Sequence, residues 1–182
     1  MKPLIRHCLA LVIAIGCVGA APAQAETAAQ LAQTSQKALK TLYAKVPVAK
    51  KLGAKAVAIL VFPSVTKAGL GVGGQYGEGA LIRHGKVVGY YNTTGASFGL
   101  QIGAQRYGYA MFFMTESAFQ ALEKSDGFEV GVGPSVVVMD EGMAKSASTT
   151  TMNDDVYAFI FSQKGLMAGL GIQGNKISKI EK

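Results

Sequence analysis

The sequence predicts an α+β fold. We expect an N-terminal helix packed on a strongly curled, mostly antiparallel, glycine-rich sheet or partly closed barrel, with one short helix in mid-chain. Three observations lead to this prediction: an apolar helical stripe near the N-terminus, a succession of short apolar runs joined by short turns, and glycines that alternate with apolar residues. Short connections favour antiparallel pairing, because parallel strands need long crossovers.

The first 25 residues have the features of a secretory signal peptide. Lys2 and Arg6 form a basic start, an apolar stretch follows, and Ala23-Gln24-Ala25 is a small-x-small cleavage site. We therefore expect an exported protein, periplasmic or secreted. The alternative is lipoprotein processing, with the chain anchored through Cys17.

The remaining residues are expected to form one domain, with a helical segment over 26–53 and a β-rich part over 54–182. Of the 182 residues 49% are hydrophobic and 16% charged, a composition that excludes disorder. Both cysteines precede residue 26, and His84 is then the single histidine. Disulfides, thiol chemistry and cysteine-based metal sites are excluded, so we expect no enzyme, no metal and no cofactor.

Positive charge is concentrated near the start of the exported chain. Residues 26–77 hold seven lysines and one acid, whereas residues 78–182 hold nine basic and ten acidic residues. This asymmetry predicts an anionic partner, either lipid headgroups, acidic protein or nucleic acid, and export argues against nucleic acid. A solvated face kept for solubility is the alternative. The lysines are Lys37, Lys40, Lys45, Lys50, Lys51, Lys55 and Lys67.

A helix is predicted over 27–44, because Leu31, Ser35, Leu39 and Leu42 recur at three- and four-residue spacing. Lys37 and Lys40 should project from its other side. Pro47 interrupts the pattern, so residues 48–52 should form a separate helical turn. A second helix, capped by Thr115, should run to about residue 124.

Strands are predicted for the other apolar runs. Pro63 should close the first strand, and His84-Gly85 should form a two-residue hairpin turn. The predicted strands cover residues 56–62, 68–76, 80–83, 86–91, 97–114 (two strands broken near Gly108), 128–132, 135–139, 146–151, 156–163, 166–173 and 176–180.

Alternating glycines should leave one face of a strand bare. On a strand, residues two apart share a face, so such a strand curls sharply and lets another group approach closely. We expect either the N-terminal helix, through Leu39 and Leu42, or an acyl chain to cover these faces. The glycines that define them are Gly69, Gly71, Gly73, Gly169 and Gly171.

Three other sequence features give weaker evidence about function. The G-x-G-x-x-G matches at 69–74 and 169–174 do not open helices, which excludes a dinucleotide site. The acidic doublets Asp140-Glu141 and Asp154-Asp155 lack the ligand spacing of a calcium loop, so turn or cap roles are expected. Arg106 could hold a carboxylate or phosphate, or form a structural ion pair with Glu129 or Asp140.

Four segments, taken in order, resemble the SYLF domain family, which is also described as a lipid-binding or yeast-type actin-binding domain. They cover residues 54–82, 89–114, 127–142 and 155–180. The VFP triplet, the GGQYGEG stretch, FF after GYA and the KGL-x-AG-x-G ending occur in the order and spacing of the family. The chain is most similar to bacterial exported forms that consist of this domain alone.

The resemblance implies phospholipid binding without catalysis. Eukaryotic members of the family that it resembles bind phosphoinositides through a basic amphipathic N-terminal helix, and some of them bind actin. For an exported chain the expected ligand becomes anionic phospholipid or fatty acid at a membrane surface. The headgroup would contact the seven lysines and Arg106. The alternative is a protein-interaction or adhesion module with no lipid ligand.

Overall fold

A computed structural model of the chain describes residues 26–125, 127–146, 153–165, 172 and 174–182. The predicted α+β fold is confirmed: an N-terminal helix lies on a strongly curled, mostly antiparallel sheet, and a short helix stands in mid-chain. The helices are α1 (Ala28–Lys45), α2 (Pro47–Gly53), α3 (Glu116–Lys124) and α4 (Glu141–Ser146). The strands are β1 (Ala58–Arg83), β2 (Lys86–Phe113), β3 (Phe128–Glu129), β4 (Val136–Asp140), β5 (Val156–Gly165) and β6 (Lys176–Ile180).

One long ribbon, formed by β1 and β2, organises the sheet. The two strands pair antiparallel from Ala58↔Phe113 to Arg83↔Lys86, across the predicted turn at His84-Gly85. Both turn residues have positive φ angles, 49° and 75°, as the tight hairpin of a twisted ribbon requires. On the other side of β2, the first part pairs with β6 and the last part pairs with β5.

The predicted breaks between strands within residues 56–83 and within residues 86–114 are wrong. Pro63 does not close the first strand, and 97–114 is not broken at Gly108, because β1 and β2 are each continuous. The register of β1 slips between Phe62 and Val65, and that of the β2 and β5 pair slips between Arg106 and Gly108. Proline is tolerated at such a bulge because the ladder hydrogen bond is already missing there.

The β1–β2 ribbon bends back on itself. The register of β1 slips again between Leu70 and Val72, and two arms of β1, residues 58–68 and 72–83, then face each other. A side chain at Gly77 would lie 2.7 Å from Val65 Cγ2, and one at Gly79 would lie 2.7 Å from Phe62 Cδ1. The glycines therefore let the two arms of one strand come into contact.

The sheet has a buried core on each face. Successive β2 side chains point to opposite sides, so Phe113, Met111 and Tyr109 belong to one core while Phe112 and Ala110 belong to the other. Helix α3 packs on the first core, and α1 and α2 cover the second. Phe112 meets Phe159 edge to face, with ring centroids 5.3 Å apart.

Three further elements qualify the predictions. Helix α4 was not predicted, and β3 covers only Phe128–Glu129 of the expected strand over 128–132. β4 pairs with β5 in parallel, which makes the sheet mixed. The predicted strand over 166–173 lies outside the described residues except at 172, and the one over 146–151 does so except at its first residue, which ends α4.

Candidate functional site: a lysine surface on α1 and α2

Helix α1 presents lysines to solvent because its opposite side is buried. The stripe Leu31, Ser35, Leu39 and Leu42 is buried, and at 100° per residue Lys37 stands on the other side of the helix. Thr27 starts the helix with a capping box to Gln30. The predicted helix is thereby confirmed, and so is the outward placement of its lysines.

The helix is fixed to the ribbon at two points. The Ser35 hydroxyl donates to the Val61 carbonyl at 3.3 Å, and the Tyr90 hydroxyl donates to the Ala28 carbonyl at 3.0 Å. Leu39 and Leu42, the predicted acyl or packing residues of this helix, are buried in the core between α1 and the sheet. They therefore fix the orientation of α1.

Five of the predicted lysines make up an exposed set on α1, on α2 and just after α2. We call this the lysine surface; it consists of Lys37, Lys40, Lys50, Lys51 and Lys55. All five are exposed, and within the described part of the chain none of them forms a salt bridge. In α2 the residues Val48, Ala49 and Leu52 are buried, which turns Lys50 and Lys51 outward.

The other predicted cations are placed differently. Lys45 lies 3.5 Å from Glu141 of α4, so part of its charge is compensated. Lys67 is only 6% exposed, because it lies inside the curled ribbon on β1, and it is not presented with the lysine surface. Arg106 is exposed on β2 with Thr66 and Lys164 as its cross-strand neighbours, and among the described residues it forms neither of the suggested ion pairs.

A groove of about 450 Å³ runs beside α1, and we call it the helix groove. Its walls are mostly apolar, with Ala38, Pro63 and Phe161 among them, and Lys37 stands on its lining. Thr34, Thr41, Ser64 and Ser162 add hydroxyl groups, and Glu26 adds one carboxylate. A groove with apolar walls and a cation beside it suits one end of an amphiphile.

At Gly69 the group that approaches the predicted glycine face is β1 itself. A side chain at Gly69 would lie 2.5 Å from Gly73 Cα, so these two glycines lie against each other where β1 bends. The close approach that we expected the helix to make at Gly69 is therefore made by Val72 and Gly73 of the same strand. The surroundings of Gly71 are not described, and Gly169 and Gly171 lie outside the described residues.

A shallow open cleft of about 670 Å³ lies between the arms of the ribbon. Ala68, Gly74, Tyr76 and Ala96 give it an apolar lining. Beneath it, the Tyr107 hydroxyl donates to Gln75 Oε1 at 2.7 Å, and the Gln75 amide donates to Asn175. This buried polar cluster was missed by the sequence reasoning, although Gln75 is an isolated polar residue in a run of glycines.

The buried tyrosines have little acid–base capacity. Burial raises the pKa of Tyr107 to about 12 and raises the pKa of Tyr109 further. Both hydroxyls therefore stay protonated near neutral pH, where a general base would have to lose its proton. Inside the ribbon the Tyr107 hydroxyl serves as a hydrogen-bond donor to Gln75.

Of the acidic doublets, Asp140 has the predicted cap role, and the side chains of Asp154 and Asp155 accept hydrogen bonds from hydroxyl groups. Asp140 Oδ1 accepts a 2.7 Å bond from the Met143 amide at the start of α4. Asp154 accepts from the Tyr157 hydroxyl at 3.3 Å, and Asp155 accepts from Thr115 at 3.2 Å. Among the described residues, no group of three or more His, Cys, Asp or Glu side chains could hold a metal ion.

Two further findings concern the helices and the histidine. Within the described ranges, the helices are all too short or too polar to cross a membrane. His84, the single histidine after residue 25, is exposed in the hairpin turn.

Comparison with known proteins agrees with the resemblance seen in the sequence. Residues 94–182 match the family model described as Ysc84, Las17-binding protein actin regulator. The match begins within β2 and includes every element after it. A search of the curated proteins finds no match. The family model therefore confirms, over residues 94–182, the resemblance to the Ysc84, or SYLF, domain family.

Proposed function

We propose that this chain is a lipid-binding protein that recognises anionic phospholipid or fatty acid at a membrane surface through the lysine surface. The observation that carries the proposal is the set of five exposed ammonium groups on and next to α1 and α2, with no salt bridge to any described carboxylate. Such groups keep their full charge for an external anion. The family's association with lipid and actin binding supports the same reading.

The magnitude is sufficient for reversible attachment. Each lysine held close to an anionic membrane contributes about 1 kcal/mol. Lys37, Lys40, Lys50 and Lys51 together would then contribute up to about 4 kcal/mol, which corresponds to a factor of roughly a thousand in affinity.

The helix groove supplies the apolar part of the proposed site. It lies on the same helix as Lys37 and Lys40, and its apolar walls would accommodate a few methylene groups of an acyl chain. Each buried methylene adds about 0.8 kcal/mol. Headgroup and acyl contacts would therefore act together on one side of α1.

We also propose that the chain has no catalytic role and is exported. The support for the first part is chemical, since the single histidine after residue 25 is exposed in a turn and the buried tyrosines stay protonated. The support for export is the basic, apolar and small-x-small pattern of residues 1–25. Anchoring through Cys17 is the alternative form.

The test is co-sedimentation of the purified protein with vesicles of phosphatidylcholine alone or mixed with equal parts of phosphatidylglycerol. We expect binding to the anionic vesicles only, and weaker binding at high salt because salt screens the lysines. The quadruple variant Lys37→Gln, Lys40→Gln, Lys50→Gln and Lys51→Gln should lose most of this binding.

A matched control removes the same charge elsewhere. Lys86, Lys124, Lys176 and Lys179 are exposed and lie outside α1 and α2, so replacing all four by Gln changes the net charge equally. This control should retain most of the binding of the parent protein. Equal losses in both variants would show that only net charge matters, and binding that ignores lipid charge would refute the headgroup proposal.

A second candidate is a protein-interaction module, which the printed description of the matching family, an actin regulator, favours. Under this reading the lysine surface contacts an acidic protein. Absence of vesicle binding, together with co-sedimentation with filamentous actin that the quadruple variant loses, would favour it.

A further inference from the structure

The bend of β1, residues 69–73, projects large apolar side chains into solvent. Leu70 is 79% exposed and Val72 is 62% exposed. Among the large exposed apolar residues of the described chain, Leu70 has the highest exposure, and Val72 and Val132 share the next value. Two such residues two positions apart at a bend form a small apolar tip. A tip of this kind marks an interaction surface more often than single scattered apolar residues do.

The backbone of the bend makes the projection possible. Gly69 lies against Gly73, and the register with β2 jumps from Leu70↔Ile102 to Val72↔Phe98. A side chain at Gly69 would strike Gly73 at 2.5 Å, so the tight approach requires glycine there. The close contact of the two glycines leaves Leu70 and Val72 on the outer side of the bend.

Two exposed cations lie on the strands beside the arm of β1 that leads to the tip. Arg106 and Lys164 are exposed and are direct cross-strand neighbours, and Arg106 is four residues from the residue that pairs with Leu70. That separation is roughly 13 Å along a strand. Glu78 is the only acidic residue between residues 54 and 115, and it is held by Lys182 and Tyr76.

We propose that the bend of β1 is a second lipid-contacting element, at which Leu70 and Val72 insert between the headgroups of an anionic membrane while Arg106 and Lys164 contact lipid phosphates. This inference rests on the proposed function, but it uses none of the residues of the lysine surface. The tip lies nine residues along β1 from Val61, where α1 is attached, so it is a separate element of the surface.

Charge complementarity favours a membrane over a second copy of the chain. Two copies that met at their tips would bring Arg106 and Lys164 of one copy against the same cations of the other, and like charges repel. An anionic lipid surface accepts the apolar tip and the cations together. Basic residues beside apolar ones are also the composition that interfacial membrane elements use.

The chain has no tryptophan, so a single introduced tryptophan reports its own surroundings. The variant Leu70→Trp is mixed with vesicles of phosphatidylcholine and phosphatidylglycerol in equal parts, with or without bromine on the acyl chains. We expect its emission to shift to shorter wavelength on the vesicles and to be quenched by the brominated lipid. The control Val88→Trp, at a site 52% exposed near the hairpin turn, should show neither change.

The affinity for vesicles provides an independent test of the inference. The double variant Leu70→Ser and Val72→Ser should bind these vesicles at least about tenfold more weakly, because two apolar side chains no longer enter the lipid. The control Val88→Ser and Val132→Ser should bind as the parent does. All four positions are exposed, so melting temperatures should remain close to that of the parent.

The outcomes separate the two proposals. If the parent binds vesicles but Leu70→Trp keeps a water-like emission, the inference about the bend is overturned and the proposed function stands. If the emission shifts with protein concentration in the absence of vesicles, a second copy covers the tip and the inference is overturned. If the parent binds no vesicles, the proposed function fails, and the inference fails with it.

Discussion

Substitution of a glycine between the two arms of β1 tests how the ribbon bends. The methyl group of an alanine in place of Gly79 would overlap the Val61 carbonyl oxygen and lie 2.7 Å from Phe62 Cδ1. The oxygen belongs to the backbone, so it cannot rotate away as the end of a side chain would. We therefore predict that Gly79→Ala forces the arms apart.

The size of the effect follows from the cost of overpacking. Forcing extra volume into a well-packed site costs about 1–3 kcal/mol. For a protein of this size each kcal/mol lowers the melting temperature by about 2–4 °C, so Gly79→Ala should lower it by about 2–12 °C. Circular dichroism during heating measures this change.

Gly74→Ala is the matched control on the same strand. A side chain there would have Gly95 O, at 3.9 Å, as its nearest neighbour, which is ordinary van der Waals contact. Replacing glycine at an unstrained position stabilises a protein by about 0.4–1 kcal/mol through the unfolded chain. Gly74→Ala should therefore melt at or slightly above the parent temperature. If Gly79→Ala melts as high as Gly74→Ala, the contact between the arms is refuted.

Three further predictions concern other contacts. Burial alone would raise the pKa of Glu78, but hydrogen bonds from Lys182 and Tyr76 leave it below its usual 4.5. The ionised Glu78 carboxylate stabilises the folded protein above its unfolded pKa, and this stabilisation is lost as the pH falls through the lower folded pKa. Glu78→Gln should therefore lower the free energy of unfolding near neutral pH, and the stabilities of variant and parent should converge below pH 4.5. A difference in stability that does not change with pH would contradict this. Thr115→Ala removes the cap of α3, in which the Ala118 amide donates to the Thr115 hydroxyl at 3.2 Å. The variant should lose about 1 kcal/mol of unfolding free energy in chemical denaturation, and an unchanged free energy would show that the cap contributes nothing. Tyr107 should ionise with a pKa of about 12 in an ultraviolet titration, and Tyr107→Phe should remove that step; ionisation near the ordinary value of 10.0 would show that the ribbon interior is open to water.

Local signals in the sequence were sufficient to predict α1, α3 and the hairpin turn. The stripe from Leu31 to Leu42 repeats within one helix, so its buried side could be predicted without knowing what it packs against. Thr115 and the His84-Gly85 pair act on their immediate neighbours, and the structure has α3 and the hairpin turn where they indicate. Each of these features is decided within a few residues of the chain.

The partners of the glycines could not be predicted in this way. The alternation of Gly69 and Gly73 correctly indicated a close approach, but the approaching group is β1 itself. Contact between Gly79 and Val61 depends on a bend between them, and nothing in the spacing shows that a strand doubles back. Pro63 misled for a related reason, because a bulge removes the hydrogen bond that proline would have broken.

The candidate site was predictable in part. Five lysines of the first third are exposed as expected, because they lie on or just beyond two short helices with buried opposite sides. Lys67 differs because it lies on a strand of a curled ribbon, where a side chain can point inward. Helix α4 was missed because it is six residues long and begins with an acidic pair typical of a turn.

The central position of β2 has a consequence for how the chain can be divided. β1 lies along one side of β2, while β6 and β5 share the other side between them. The family match starts at residue 94, inside this strand, so its boundary divides a continuous strand. A fragment of residues 94–182 would lose every backbone hydrogen bond that β1 supplies, and we therefore expect it not to fold without the first half of the chain.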